Sequence, residues 1–201
     1  MNQNRIVITG TIGSGKSTLA KLLRDEGYLV IDSDEVNRKL LEKGEANYRA
    51  IKNSGIFDPA FKEDFLDKKI LAQMIFSDRQ KMEAINRLTH SNIISTIEKK
   101  IEESGEKTVF IEIPLFFSMK ENISHDKVLL VDADRDVQIK RLMDRDKISY
   151  DYALQKLESQ AKREEMIKGS DFVFDNSSDL NNLKNQLMEK LKEVEKYRWS
   201  L

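Results

Sequence analysis

Apolar residues come in short runs, and between the runs lie stretches whose apolar positions recur every three or four residues. "RIVITG" (5–10), "YLVID" (28–32), "TVFIEI" (108–113) and "KVLLVD" (127–132) are near-continuous β-branched or aromatic runs, with "DFVFDN" (171–176) a weaker fifth. Such runs, lacking polar alternation, predict strands buried on both faces. Helical patterns occupy 17–24, 136–146 and 180–197; in the last, Leu180, Leu183, Leu187, Leu191 and Val194 repeat at helical spacing behind the cap-forming "NSSD". Alternation of strands and helices implies a parallel sheet with helices on both faces. The stretch 35–107 is too long for a simple crossover and carries helix-like patterns at 66–76 and 93–101, which predicts a helical insert packed on the core. A second helical segment, 150–168, falls between the fourth and fifth strands.

The first strand leads into a segment that suits neither helix nor strand: Gly10, Thr11, Ile12, Gly13, Ser14, Gly15, Lys16 and Ser17, followed by Thr18. The order matches G-x-x-x-x-G-K-[ST] between a strand and a helix, the setting in which successive backbone N–H groups curl around a phosphate. The helix N-terminus adds partial positive charge. Lys16 is placed to reach the outer phosphates and the Ser17 hydroxyl to ligate Mg²⁺. The stretch therefore predicts a nucleoside triphosphate site.

Three classes of nucleotide protein compete. A GTPase would carry an Asp-x-x-Gly turn and an Asn-Lys-x-Asp base-reading motif, and the chain has neither. A motor or transporter ATPase would show a hydrophobic strand ending in adjacent acids. A small-molecule kinase needs a carboxylate near the transferred phosphate, an acceptor pocket and basic residues over the phosphoryl group. Asp32 and Asp34, flanking Ser33, end the second strand at the side where ligands bind in such sheets. One of them accepts or orients the acceptor's proton, or one merely caps the helix that follows. If the strand continues, both share a face, with Asp34 further out toward the acceptor and Asp32 deeper, near the metal's water shell. Glu112 either anchors the Mg²⁺ hydration shell or is a plain buried carboxylate. Arg141 and Arg145, four apart on one helix, and Arg163 beyond Gln160, are spaced to grip phosphate oxygens, though a solvated, salt-bridged surface explains their charge equally well.

Charge and composition narrow the classes further. The 201 residues carry a formal net charge of −1, which supplies no field for nucleic acid or an anionic membrane. There is no cysteine, so disulfides and thiolate metal sites are excluded, and His90 and His125 stand alone. No apolar run is long enough to span a bilayer, and "IVITG" after "MNQNR" is too short for a secretory signal. The expectation is a cytoplasmic enzyme without an obligate protein partner.

Several segments together resemble the dephospho-coenzyme A kinase family over nearly the whole chain. They are "TGTIGSGKST" (9–18), "VIDSD" (30–34), "FLDKKIL" (65–71), "LTHSNI" (88–93), "IPLFF" (113–117), "QIKRLMDRD" (138–146), "QAKRE" (160–164) and "DFVFDN" (171–176). The resemblance implies an α/β fold. Its three-layer P-loop NTPase core has a parallel five-stranded sheet (1–34, 108–140, 169–201), with a helical coenzyme-A-binding insert (35–107) and a helical lid (141–168). It implies ATP-dependent phosphorylation of the ribose 3′-hydroxyl of dephospho-coenzyme A, with Mg²⁺. Asp34 falls on the proposed base and Arg141 on the lid arginine, while Lys16 serves the transferring phosphate. Asn176 falls on a nucleotide-binding position that could hydrogen-bond adenine, and Arg145 joins the nucleotide side. Thr9, Asp32, Asp34, His90, Pro114, Leu115 and Arg163 fall on the acceptor side. The chain departs from the family pattern at Val7, Thr11, Lys68, Ser91 and Ser118. A kinase for another small acceptor, or a regulatory nucleotide-binding protein, remain as alternatives.

Overall fold

A computed structural model of the chain describes residues 3–119, 123–160 and 162–196, with side chains through 193. Val194, Tyr197 and Trp199, the last two expected to pack the final helix on the core, lie outside the described side chains. The chain forms two compact units, one of Met1–Ile31 with Glu106–Leu201 and one of Asp32–Gly105. Residues 141–168 belong to the first unit, and the second begins at Asp32, three residues earlier than the sequence pattern predicts.

The first unit is built on a five-stranded parallel sheet. Its strands are β1 (Asn4–Gly10), β2 (Leu29–Asp32), β5 (Thr108–Glu112), β6 (Lys127–Asp132) and β7 (Phe172–Asp175), in the order β2-β5-β1-β6-β7. All five strands fall on the apolar runs, but the expected burial on both faces fails at the edge strand β7, where Val173 and Asp175 are exposed. The central β1 pairs β5 from Asn4↔Thr108 to Ile8↔Glu112 and pairs β6 from Ile6↔Lys127 to Gly10↔Val131. Helices α1 (Lys16–Asp25) and α9 (Leu180–Lys196) share one apolar cluster with the sheet, including Ile6, Ile8, Leu19, Leu23, Phe110 and Phe174. On α9, Leu183, Leu187 and Leu191 are buried, whereas Leu180, counted in the same stripe by spacing, is exposed in the first turn. The segment predicted as one helix over 150–168 is two, α7 (Tyr150–Glu158) and α8 (Arg163–Lys168). The interruption falls where Gln160 turns its side chain to another element. Before them, α6 (Arg135–Asp146) packs on α7 through Ile139, Leu142 and Ala153.

The second unit holds α2 (Ser33–Leu40), α3 (Ala46–Ser54), α4 (Lys68–Ser77) and the 26-residue α5 (Arg79–Ser104), with a hairpin of β3 (Phe61–Lys62) and β4 (Phe65–Leu66). Its core is separate, formed by Tyr48, Ile51, Phe57, Leu66, Leu71 and Ile85 with their neighbours. Aspartates start three of its helices: Asp32, Asp67 and Asp78 each accept two backbone N–H bonds at the N-cap. Between the helices runs a buried amide ladder, Asn92 Nδ2 to Asn47 Oδ1 and Asn47 Nδ2 to Asn37 Oδ1, both 2.9 Å.

Candidate functional site

The loop after β1 is shaped by close approaches. A Cβ on Gly10 would stand 2.3 Å from the Val131 carbonyl oxygen, and one on Gly15 would stand 2.1 Å from Asn176 Nδ2. Gly15 also holds φ 98° as the N-cap of α1, a left-handed conformation that side chains resist. Between them the chain closes a turn in which Ser14 N–H donates to Thr11 O at 3.2 Å. Thr18 and Leu19 N–H donate back to Gly15 O, and the helix dipole is positive at the start of α1, which makes the loop an anion cradle. Ser14 is fully buried, and its Oγ has no hydrogen-bond partner among the described residues. A buried hydroxyl left in that state costs free energy. The close-approach glycines and this unsatisfied hydroxyl fit a phosphate-holding loop.

At the far side of the cradle Ser17 Oγ donates to Glu112 Oε1 at 3.0 Å. Glu112 is the last residue of β5, 5% exposed and in register with Ile8 of β1, so the sheet itself carries the carboxylate to the foot of the loop. A hydroxyl beside a carboxylate is a hard-oxygen donor set of the type Mg²⁺ takes, with phosphate and water filling the other positions. Among the described residues no group of three or more His, Cys, Asp or Glu could hold an ion by itself.

Side chains from distant parts of the chain brace this loop. Gln138 Nε2, from α6, donates to Thr11 Oγ1 at 2.5 Å. Gln160 Oε1, beyond α7, accepts the Ile12 N–H at 2.8 Å. Asn176 Nδ2, past the end of β7, donates to Ser14 O at 2.7 Å. Arg141 Nη1 lies 3.5 Å from Gly13 O and 3.4 Å from Ser14 O, at the outer limit of a hydrogen bond. Asn176, expected at the adenine, thus has its amide nitrogen on the loop. Gln138 is missed by sequence reasoning, although a glutamine among the inward positions of α6, beside Ile139 and Leu142, was a readable signal.

The expected arginine grip is not assembled. Arg145 is exposed, and its hydrogen bonds among the described residues go to Asp146, at 2.7 and 3.1 Å. That pairing, with Lys156 assisting, holds the Asp146 carboxyl down to about 2. Arg163 makes a forked contact to Asp132 at the end of β6, with Nε 2.9 Å and Nη2 2.5 Å from Oδ2, which raises the pKa of its guanidinium. Adjacent carboxylates took these cations, an outcome that the near balance of acids and bases in 135–165 allowed. Thr9 is fully buried with Oγ1 3.5 Å from Pro114 O, and Thr9, Pro114 and Leu115 line a pocket with Phe117, Gln160 and Met166.

In the second unit the strand does not continue past Asp32. Asp32 Oδ1 accepts from Asp34 N at 2.8 Å and from Glu35 N at 3.2 Å, so Asp32 caps α2 and Asp34 is exposed in its first turn. The expectation that both share a strand face is therefore corrected: capping was the stronger local demand. His90 is half-buried on α5 and makes no hydrogen bond among the described residues.

A family model for dephospho-CoA kinase matches residues 5–182. The chain belongs to the dephospho-CoA kinase family. It is 32% identical over 197 residues to the dephospho-CoA kinase of Carboxydothermus hydrogenoformans, covering 96% of this chain and 94% of the relative. It is 34% identical over 180 residues to that of Fusobacterium nucleatum, covering 89% and 92%. Among solved structures, the dephospho-CoA kinase of Campylobacter jejuni matches this family member with a TM-score of 0.70 at 28% identity, covering 98% of this chain and 99% of that one. A shikimate kinase from Bacteroides thetaiotaomicron, at TM-score 0.54 and 17% identity, shares the fold.

Proposed function

We propose that this chain transfers the γ-phosphoryl group of ATP to the ribose 3′-hydroxyl of dephospho-coenzyme A, giving coenzyme A and ADP, the last step of coenzyme A biosynthesis, in the cytoplasm. The observation that carries the acceptor is the family match through 5–182, which includes the whole of the second unit and not only the phosphate loop. A phosphate loop alone serves many acceptors.

The 3′-oxygen attacks the γ-phosphorus, the bond to the ADP oxygen breaks, and the hydroxyl proton passes to a carboxylate. We assign that carboxylate to Asp34. Its exposed position in the first turn of α2 supports the role, since a base must be reachable by the acceptor. The braced loop holds the donor phosphates through its amides, so charge develops in a preorganised field. Lys16 offsets charge on the transferring oxygens, and Arg141, already lying on loop carbonyls, is near enough to turn toward them. Ser17 and Glu112 would hold Mg²⁺, which supplies neutralisation of the β- and γ-oxygens when bound. Mass spectrometry of a reaction with ATP, Mg²⁺ and dephospho-coenzyme A tests the reading. A product heavier by one phosphoryl group is expected, and ADP release without it would overturn the acceptor.

A further inference from the structure

Gln160 has two different ends in two different places. Its Oε1 is fixed by the Ile12 N–H at 2.8 Å, which also fixes the amide's orientation, because only the oxygen can accept from that donor. Its Nε2 group makes no hydrogen bond among the described residues, and the residue lines the pocket of Thr9, Pro114, Leu115, Phe117 and Met166. That pocket opens at the C-terminal ends of β1 and β5 in the first unit, beside the phosphate loop, where ligands bind in parallel α/β sheets. The pocket is small, about 10 Å³, with largely apolar walls, so it admits a single oxygen-sized group, and the half-buried amide of Gln160 is a directional donor to an oxygen entering there.

We propose that Gln160 binds the acceptor: its carbonyl holds the phosphate loop at Ile12 while its amide nitrogen donates to a single acceptor oxygen that enters the mouth of this pocket, the rest of the acceptor lying outside it. One side chain then touches the donor's loop and the acceptor at once, and it sits in the break between α7 and α8. This explains why a helix predicted to run through 150–168 stops there: a continuous helix could not aim Gln160 at the loop. The proposal rests on the reading of the protein as a dephospho-coenzyme A kinase.

Two variants separate the two ends. Gln160→Glu keeps an oxygen for Ile12 and removes the donor, and Gln160→Met keeps the length and removes both. Calorimetry with dephospho-coenzyme A alone, and steady-state constants for both substrates, are the readouts. Both variants are expected to weaken acceptor binding by about tenfold, the scale of one lost hydrogen bond to a buried partner. Only Gln160→Met should also raise the Michaelis constant for ATP by a comparable factor. The loss in Gln160→Glu should persist at about 1 M salt, where repulsion between a new carboxylate and the substrate's phosphates is screened. Parental acceptor affinity in both variants, a loss confined to ATP, or a loss that vanishes in high salt overturns the proposal. Turnover of dephospho-coenzyme A by the parent protein is the separate check on function. Without it the functional reading falls and this proposal with it. With it, any of the three overturning outcomes removes the role of Gln160 alone.

Discussion

The phosphate loop and the helical second unit are held by opposite strategies. Around the loop, contacts join residues far apart in sequence: Gln138 to Thr11, Gln160 to Ile12, Asn176 to Ser14 and Glu112 to Ser17. In the second unit many of the polar contacts are local, with aspartate caps two or three residues from their donors and ion pairs across one helical turn. Its tertiary order comes from an apolar cluster, one amide ladder and the contacts that Tyr48, Lys43 and Lys52 make to Asp64. The loop is irregular backbone with little regular hydrogen bonding of its own, so it needs partners from other elements to hold its shape. Helices satisfy their own backbone and need only a packed face. Damage near the loop should therefore appear in catalysis, and damage in the second unit in stability.

The sharpest break of that contrast is Asp34, a residue of the second unit with an expected chemical role. Asp34→Asn keeps shape and helix position but removes the charge. Turnover should fall by roughly 10²–10⁴, the range for losing a general base, with near-parental substrate affinities in calorimetry. Asp32→Asn, which retains a capping oxygen, should cost far less; the reverse ranking would assign the base to the cap. On the loop side, Lys16→Ala should fold normally by circular dichroism and lose at least about 10²-fold in turnover.

Phe57 tests the other half. It is fully buried in the second unit's own cluster. Phe57→Ala removes about 3–5 kcal/mol by lost burial and a residual cavity. Amide exchange should then accelerate across 32–105 before it does in the sheet. Equal acceleration in both units would show that they unfold as one and would end the contrast.

How much of this was legible in the sequence follows the same division. The central strands β5, β1 and β6 were readable because nearly fully buried strands admit few polar residues, the edge strands β2 and β7 were readable only as short apolar runs, and the phosphate loop was readable because its geometry forces glycine at fixed positions. Helix α5 was seen only over 93–101: its buried positions, Ala84, Ile85, Thr89, Ile97 and Ile101, are too sparse to show a stripe over 26 residues. The β3–β4 hairpin was missed because its turn places Glu63 at φ 56° without the glycine that normally marks such a turn. At the site, residue types were legible but pairings were not. Arg145 and Arg163 read as phosphate ligands by spacing, and only the fold reveals Asp146 and Asp132 beside them.

A smaller effect is expected at Asn176, whose Nδ2 holds Ser14 O and sits where a side chain on Gly15 would go. Asn176→Ala should raise the Michaelis constant for ATP by about tenfold, the scale of leaving one buried carbonyl unpaired. Gly15→Ala should be worse alone, being strained in φ and in collision with Asn176. The double variant should cost less than the sum, because the alanine at 176 removes the collision. Strict additivity would mean that Asn176 does not shape the loop.

The smallest expected effect is electrostatic. Asp64, in the β3–β4 turn, is bound by Lys52 and Lys43, and these hydrogen bonds hold its carboxyl down from 3.8 to about 2. A carboxylate whose pKa is lower folded than unfolded contributes stability that is fully present above the unfolded value. It is lost as the pH falls through the folded one. The second unit should therefore loosen as pH drops from about 4 to about 2, and Asp64→Asn should flatten its share of that acid limb while leaving neutral stability slightly lower. Asp146, held near the same value by Arg145 and Lys156, gives the first unit a matching limb. Both carboxylates meet solvent, so salt should shrink both contributions, and each should be minor beside the Phe57 cavity. Amide exchange at pH 3 in low and high salt reads them separately: Asp64→Asn should alter protection within 32–105 alone. A change of equal size in the sheet would show that this surface cluster reaches beyond its own unit.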